Sequence, residues 1–252
     1  MKNKLKEKLK AGEQTVGVWM SIPSPEVGEA LAAQGRWDWF VYDMEHSPLN
    51  EQIVNNIMTS VKGTDVVPLA RVAWNDMVLI KRALDVGAYG VVVPWVNNRE
   101  QAIRAVQACK YPPDGLRGVG PRRASIGDPR YLATANDEVL VIAQIETKEA
   151  VENCQEIFSV KGIDAYFIGP MDLSASLGVL GKTDDPKMVE AIDRVWKAGK
   201  QAGLISGIYS LGVDDLKRRL AQGFQFIAAG GDLGFLTQGA EATLKQIGRS
   251  GR

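Results

Sequence analysis

The stretch Trp39–Ser47 reads Trp-Phe-Val-Tyr-Asp-Met-Glu-His-Ser and changes from apolar to polar in its middle. Its first four residues are aromatic or β-branched, which predicts a strand buried on both faces. The polar residues follow at once and include His46, the one histidine of the chain. Folds of the α/β class place their chemistry at the carboxyl ends of buried strands. The stretch therefore indicates a fold class and, at its end, a candidate site.

Eight runs of this apolar or β-branched kind recur along the chain, with helix-like segments between them. Most are continuously apolar, as expected for parallel strands covered on both faces. The alternation repeats without a linker, so it predicts a single (β/α)8 barrel, the TIM barrel, over residues 1–252. The predicted strands are Thr15–Met20, Trp39–Asp43, Val67–Arg71, Gly90–Pro94, Val139–Glu146, Ala165–Gly169, Leu204–Ile208 and Phe224–Ala229. The clearest predicted helices are Glu26–Gln34, Met77–Val86, Glu100–Cys109 and Met188–Ala202.

The composition argues against several classes of protein. The 252 residues carry 30 basic and 30 acidic side chains, a balance that argues against binding to nucleic acid. No stretch approaches the roughly 18 apolar residues of a membrane span, so no membrane partner is expected. Cys109 and Cys154 have no metal-binding or redox spacing, which favours a reducing, cytoplasmic setting. The charged start of the chain predicts a solvated surface helix that buries Leu5 and Leu9.

One connection is unusually long for this fold. Residues 111–137 show no clear periodicity, and loops of this length in a compact domain are usually functional lids or disordered. Up to residue 130 its arginines outnumber its acids, so we expect a lid that attracts an anionic substrate. The alternative is a solvated surface loop. The arginines are Arg117, Arg122, Arg123 and Arg130, and the acids are Asp114 and Asp128.

Carboxylates follow two of the predicted strands. Glu146 ends the fifth strand, and Asp172 comes just after the sixth. In a barrel these ends share one face, where two carboxylates suit a hard cation such as Mg²⁺ or Mn²⁺. A single histidine excludes a His-rich zinc site. The alternative is that each carboxylate only caps the helix or turn that follows it.

The third predicted strand ends on a charged side chain, Arg71. A guanidinium there is costly unless it is paired or faces a ligand. It could bind a carboxylate or a developing enolate oxygen, or it could form an ion pair with Glu45 or Asp43. His46 could exchange protons with a substrate, oriented by Asp85 or Asp43, or it could belong to a structural hydrogen-bond network.

Other catalytic schemes lack their residues. No lysine lies within a predicted strand, which argues against a Schiff-base aldolase. The sequence has no Gly-x-Ser-x-Gly elbow, no Walker loop and no complete Gly-x-Gly-x-x-Gly motif.

Several motifs together resemble the class II pyruvate aldolases of the HpcH/HpaI aldolase family, over residues 15 to about 247. These motifs are Asp43–Ser47, Arg71, Tyr111–Gly118, Gln144–Thr147 and Phe167–Ser174. The resemblance implies a metal-dependent aldolase that reversibly cleaves a 4-hydroxy-2-oxo acid to pyruvate and an aldehyde, in the catabolism of aromatic or sugar acids. It also implies Mg²⁺, Mn²⁺ or Co²⁺ as cofactor and a homohexamer, a trimer of dimers with exchanged C-terminal helices.

The resemblance further implies roles for single residues. Glu146 and Asp172 would hold the metal, and Arg71 would stabilise the enolate oxygen. His46, with Asp85 or Asp43, would act in acid–base catalysis. The residues expected to bind substrate are Trp19, Gln144, Gly169, Pro170 and Met171.

Two other functions remain open at this point. One is a citryl- or malyl-coenzyme A type of lyase from the same superfamily. The other is a non-catalytic barrel that binds an oxo acid. The aldehyde partner of the expected aldolase also stays open.

Overall fold

In the computed structural model of the protein, which describes residues 1–249, eight parallel strands close into a barrel in chain order. The eighth strand returns to pair with the first. The strands are β1 Thr15–Met20, β2 Trp39–Asp43, β3 Val67–Arg71, β4 Gly90–Val93, β5 Leu140–Ile145, β6 Ala165–Ile168, β7 Ile205–Tyr209 and β8 Phe226–Gly231. The helices are α1 Lys4–Lys10, α2 Pro25–Ala32, α3 Glu51–Ser60, α4 Met77–Asp85, α5 Arg99–Cys109, α6 Tyr131–Glu138, α7 Lys148–Glu152, α8 Cys154–Phe158, α9 Pro170–Ser176, α10 Pro186–Ala202, α11 Val213–Gln222 and α12 Asp232–Gln246.

The predicted (β/α)8 barrel is confirmed, and the first three strands have the predicted bounds. The fourth ends at Val93 because Pro94 has no N–H to continue the ladder. Glu146 and Gly169 lie just beyond β5 and β6 and so belong to the turns that follow them. The last three residues of the predicted domain lie outside the described residues. None of the helices in residues 1–249 is long and apolar enough to cross a membrane.

Strand β2 illustrates why the strands are continuously apolar. Trp39 and Val41 belong to the cluster that fills the barrel, whereas Phe40 and Tyr42 belong to the layer between barrel and helices. All four are fully buried. Space for the Trp39 ring depends on Gly17, because a Cβ at that position would lie 2.1 Å from the ring. Each strand is therefore buried on both faces, as the pattern indicated.

Helix α1 covers the amino-terminal end of the barrel with one side and exposes the other, with Lys4, Glu7, Lys8 and Lys10 in solvent as expected. Leu5 and Leu9 pack into the cluster inside the barrel. Lys6 is also buried, and its Nζ lies 2.7 Å from Asp164 Oδ1. Burial lowers the pKa of Lys6, and the charge of Asp164 offsets part of that effect. The helix therefore plugs the barrel as well as burying the two predicted leucines.

Residues 111–137 are a packed segment at the amino-terminal end, since they connect the end of α5 to the start of β5. The Arg117 side chain is fully buried, donates to Asp85 Oδ1 at 2.6 Å and lies over the Tyr111 ring at 4.5 Å. Arg123 donates to the carbonyl of Val86 at 2.6 Å. The segment predicted to be a lid therefore packs at the end of the barrel opposite to the candidate site of its own chain.

Candidate active site

The candidate site is a cavity of about 210 Å³ at the carboxyl ends of the strands. Its lining residues come from six strands or the turns after them: Trp19, His46, Arg71, Gln144, Phe167, Gly169, Pro170, Met171, Asp172 and Tyr209. A larger cavity of about 400 Å³ lies towards the amino-terminal end, but its lining within the described chain contains one carboxylate, Asp65, and none of the predicted site residues. The chemistry of the lining, and not the volume, identifies the smaller cavity as the site.

Asp43, the last residue of β2, organises the turn that carries His46. Its Oδ1 accepts hydrogen bonds from the backbone N–H groups of Glu45 at 3.1 Å and His46 at 3.2 Å. The Arg71 guanidinium donates to both oxygens, at 3.0 Å from Nε and 2.7 Å from Nη2. Burial by itself would raise the pKa of Asp43, but the hydrogen bonds and charge of Arg71 hold it below its usual range. Asp43 therefore anchors both the guanidinium and the turn.

Arg71 combines the two roles that its position suggested. It forms the ion pair with Asp43, and its Nε lies 3.3 Å from Glu45 Oε2. The Nε–H group donates to Asp43, which leaves Glu45 Oε2 without a hydrogen-bond partner in the described chain. The guanidinium carbon lies 5.1 Å from the centre of the Trp19 ring, and both side chains line the cavity. An ion pair with Asp43 is thus compatible with facing a ligand.

Glu45 and Glu146 are buried carboxyl groups in a crowded acidic region. Burial is the main reason that the pKa of each rises to about 7. The charges of Asp43 and Asp172 raise the pKa of Glu45 further. Those of Glu45 and Asp172 act in the same direction on Glu146, and Arg71 opposes the rise in both. A cation bound among these groups would favour their charged forms.

Glu146 is held in place from both sides and is only 1% exposed. Its Oε1 accepts a hydrogen bond from the backbone N–H of Trp95 at 2.8 Å, and its Oε2 accepts one from Gln144 Nε2. The close approach of the next turn depends on Gly169, because a Cβ there would lie 3.1 Å from both Gln144 Nε2 and Glu146 Oε2. Asp172 follows in the first turn of α9. The two predicted metal ligands therefore belong to adjacent turns.

The donor set fits a hard divalent cation. Every candidate donor at these turns is an oxygen, and two buried oxygens, Glu45 Oε2 and Gln144 Oε1, lack hydrogen-bond partners within residues 1–249. Mg²⁺ and Mn²⁺ take oxygen ligands, and Mg²⁺ typically uses one or two carboxylates and keeps several waters. No group of three or more His, Cys, Asp or Glu in the described residues is arranged as a metal site. Glu146 and Asp172 would therefore need water or substrate to complete the coordination.

His46 lies at the mouth of the cavity, and its side chain is 60% exposed. Its Nε2 lies 3.7 Å from Glu45 Oε1. Asp85 is paired with Arg117 at the amino-terminal end of the barrel, so within a single chain Asp85 and His46 lie at opposite ends of the barrel. Asp43 bonds to the backbone of His46 and has no hydrogen bond to its imidazole among the described contacts. Neither expected partner orients the ring in the described structure, and Glu45 is the carboxylate beside it.

Three residues around the site carried no predicted role, and a fourth, Glu45, was expected only as a possible ion-pair partner of Arg71. Phe167 and Tyr209 line the cavity, Glu45 lies between Arg71 and His46, and Trp95 donates to Glu146. Tyr209 ends β7, one residue beyond the predicted strand, so a correct strand end would have identified it. The role of Trp95 depends on its backbone conformation, for which the sequence carries no signal.

Three comparisons with known proteins find the same family. The sequence profile of the HpcH/HpaI aldolase/citrate lyase family matches residues 15–238. The 4-hydroxy-2-oxo-heptane-1,7-dioate aldolase of Shigella flexneri is 41% identical over 99% of this chain and 95% of its own length.

Solved structures give the same result. A HpcH/HpaI aldolase/citrate lyase family protein from Burkholderia cenocepacia has a TM-score of 0.93 at 35% identity, covering 97% of this chain and 99% of its own. The HpcH/HpaI aldolase from Desulfitobacterium hafniense has a TM-score of 0.91 at 32% identity, covering 96% of each chain.

Proposed function

This chain belongs to the HpcH/HpaI aldolase/citrate lyase family and is an aldolase, and we propose that it reversibly cleaves a 4-hydroxy-2-oxo acid to pyruvate and an aldehyde with the help of a divalent cation. One observation carries the proposal. Asp172 and the Arg71 guanidinium line one cavity, and the carboxylate of Glu146, on the turn next to that of Asp172, lies behind the lining residue Gln144 and within reach of the charges of Asp172 and Arg71. This combination suits an oxo acid, whose oxygens can bind a cation and a guanidinium together.

Glu146 and Asp172 are the residues that we assign to the cation, with Mg²⁺ or Mn²⁺ as first candidates and Co²⁺ as the third. When bound, the cation would supply Lewis-acid stabilisation of negative charge on the 2-oxo group. The buried Glu146 is held by Trp95 and Gln144, so its carboxylate is oriented before any ligand arrives. Pre-orientation of this kind lowers the cost of assembling the site.

Arg71 would stabilise the oxygen that becomes negative when the carbon–carbon bond breaks. Its two hydrogen bonds to Asp43 fix the guanidinium plane, so the charge needs no rearrangement during the reaction. The turn Gly169–Met171 also lines the cavity. The first turn of a helix leaves backbone N–H groups without helical partners, here those of Met171 and Asp172, and we assign them, with Gln144 nearby, to the pyruvate carboxylate.

His46 would move the proton of the 4-hydroxyl group. Cleavage requires this proton to leave as the aldehyde carbonyl forms, and the reverse reaction requires its return. The imidazole lies at the exposed mouth of the cavity, where the aldehyde half of the substrate would extend beyond the buried pyruvate half. Glu45, at 3.7 Å, is the neighbouring carboxylate that can stabilise a protonated ring.

We further propose that the working enzyme is a homohexamer in the cytoplasm. Helix α12 supports the oligomer, because large apolar side chains on it stay exposed in the single chain, including Leu233, Leu236 and Leu244. Both cysteines are free and buried, which is compatible with a reducing compartment.

The direct test of the reaction is an aldol screen. Pyruvate is incubated with a panel of aldehydes and each divalent metal, and products are read by mass spectrometry. Removing pyruvate from 4-hydroxy-2-oxo-heptanedioate leaves succinic semialdehyde, so this compound is the first aldehyde to include. We expect a product whose mass equals the sum of pyruvate and aldehyde. Tight binding of a coenzyme A thioester without any pyruvate adduct would instead support the thioester lyase, and pyruvate binding without any adduct would support the non-catalytic barrel.

A further inference from the structure

The turn between β4 and α5 contains an unusual backbone conformation. Trp95 has a φ of +55°, and it is the one non-glycine residue in residues 1–249 with a positive φ. Left-handed conformations are disfavoured for residues with a Cβ, and for a bulky side chain such a φ marks a turn held under strain. Strained residues of this kind persist only where their surroundings hold them, and they cluster at functional sites.

The strained turn aims a hydrogen bond at the site. With Trp95 in this conformation, its backbone N–H donates to Glu146 Oε1 at 2.8 Å. Glu146 is almost completely shielded from solvent, so the Trp95 N–H supplies a hydrogen bond that bulk water cannot easily replace. A hydrogen bond to a carboxylate is roughly twice as strong as one between neutral groups. The Trp95 amide therefore fixes one oxygen of the carboxylate while Gln144 fixes the other.

Side chains on both sides of the turn hold it in this conformation. The Trp95 ring lies 6.0 Å from the Trp74 ring, with 35° between the ring planes. Two residues on, Asn97 Oδ1 accepts a hydrogen bond from Thr147 Oγ1 at 2.6 Å, and the Asn97 carbonyl accepts one from Asn153 at 2.9 Å. Thr147 is the residue after Glu146. The turn is therefore tied to the segment whose carboxylate it orients.

Trp95 and Trp74 remain substantially exposed as residues, by 41% and 53%. Burial of the indole in the core therefore does not explain a tryptophan at this position. A glycine would adopt the same φ without strain. Among the described contacts, Trp95 itself makes the ring contact with Trp74 and the backbone hydrogen bond to Glu146.

We propose that Trp95 is a positioning residue, whose left-handed backbone orients Glu146 to receive a divalent cation. The inference rests on the proposed function, in which Glu146 is a cation ligand. Partners that orient metal ligands typically change metal affinity by about 10- to 100-fold when they are lost. Since the group involved is a backbone N–H, the backbone preference of residue 95 should matter more than the identity of its side chain.

The test is a series of substitutions at residue 95, read by the affinity of the full-length protein for Mn²⁺ alone. Trp95→Gly and Trp95→Asn accept a positive φ, so we expect Mn²⁺ affinity within about threefold of the unmodified protein. Trp95→Val is β-branched and resists this conformation, so we expect affinity to fall by about tenfold or more. Far-UV circular dichroism and cooperative unfolding establish that each variant is folded.

Two outcomes would overturn the inference. Unchanged affinity in Trp95→Val would mean that the strained backbone does not orient the ligand. Equal losses in the Gly, Asn and Val variants would mean that the indole ring, and not the backbone, matters. The unmodified protein and Glu146→Gln keep this test separate from the proposed function. If the unmodified protein binds no Mn²⁺, or Glu146→Gln binds it normally, the assignment of the cation site fails first.

Discussion

Among single residues, Asp43 and Arg71 form the ion pair that holds the guanidinium in the candidate site. A buried guanidinium needs a partner, and Asp43 supplies two hydrogen bonds from one carboxylate. The same carboxylate accepts two backbone N–H groups of the turn before His46. Asp43 is therefore better placed to hold Arg71 and the turn than to orient the imidazole, which was one of its expected roles.

The pair makes stability depend on pH. Because the pKa of Asp43 is lowered in the folded protein, its carboxylate stabilises the fold above the unfolded-state pKa of about 3.9. That contribution is lost as pH falls through the lower, folded-state pKa. We expect Asp43→Asn to lower the free energy of unfolding by about 3 kcal/mol at pH 7, since it weakens the pairing of a buried Arg71. The deficit should shrink as pH falls below about 4.

Urea unfolding across this pH range measures the deficit. The matched control is Asp193→Asn, which removes an exposed pair with Lys197 at 2.6 Å and should change stability by no more than about 0.5 kcal/mol. A deficit for Asp43→Asn that stays constant down to pH 3 would contradict the role given to its charge.

His46 offers the second test at this scale. We expect His46→Ala to lower the rate of retro-aldol cleavage by about 10²- to 10⁴-fold, because the proton of the 4-hydroxyl loses its acceptor. Calorimetry should find Mn²⁺ and pyruvate binding largely unchanged, because the imidazole lies outside the carboxylate pair. Near-normal turnover in this variant would return His46 to the structural role that its sequence context left open.

Some residues of the candidate site could be predicted from the sequence because they lie at or beyond recognisable strand ends. Arg71 ends an apolar run, Glu146 follows one directly, and Asp172 lies four residues beyond the end of β6. Trp95 could not be identified in the same way. Its proposed role in orienting Glu146 depends on the φ angle of Trp95 and on the contact of its ring with Trp74 on a neighbouring turn. Neither feature leaves a pattern in the local sequence.

Among the elements, the packed segment 111–137 departs most from its predicted form. The sequence has no periodicity there because long-range contacts, and not regular secondary structure, hold most of the segment. Arg117 joins Asp85 at the end of α4 to Tyr131 at the start of α6. Such contacts become visible only when the barrel has brought α4, α5 and α6 together.

The Arg117 contacts predict how the segment is stabilised. We expect Arg117→Ala to lower the melting temperature by several degrees, since it removes a fully buried guanidinium from Asp85 and from the Tyr111 ring. The matched control is Arg122→Ala, at an exposed position of the same segment, which should melt close to the unmodified protein. Thermal unfolding by circular dichroism measures both. Equal melting temperatures for the two variants would rule out Arg117 as an anchor of the segment.

Helix α1 shows the same limit of local patterns. Leu5 and Leu9 predict one buried side, which the structure has. That this side inserts into the open end of the barrel follows only from closure of the strands, which leaves an apolar opening to cover. Lys6 is buried as a consequence, and Asp164 pairs with it.

At the scale of the whole molecule, barrel closure is what assembles the site. The lining residues span 19 to 209 in the sequence, yet they meet because all parallel strands end on one face. The repeated alternation of strand and helix made this face predictable. The surroundings of His46 were less predictable. Asp85 lies at the opposite end of the barrel, and Glu45 is the carboxylate next to the imidazole.

We infer that Glu146 and Asp172 hold a cation that makes pyruvate reactive at this site. The exchange of pyruvate methyl protons in deuterated water, followed by NMR with Mg²⁺, measures that reactivity directly. We expect exchange by the unmodified protein, its loss after chelation and its return when Mg²⁺ is restored. Glu146→Gln and Asp172→Asn, folded by circular dichroism, should not exchange. Exchange that persists in the chelated protein, or in both variants, would mean that Glu146 and Asp172 do not hold the cation that activates pyruvate.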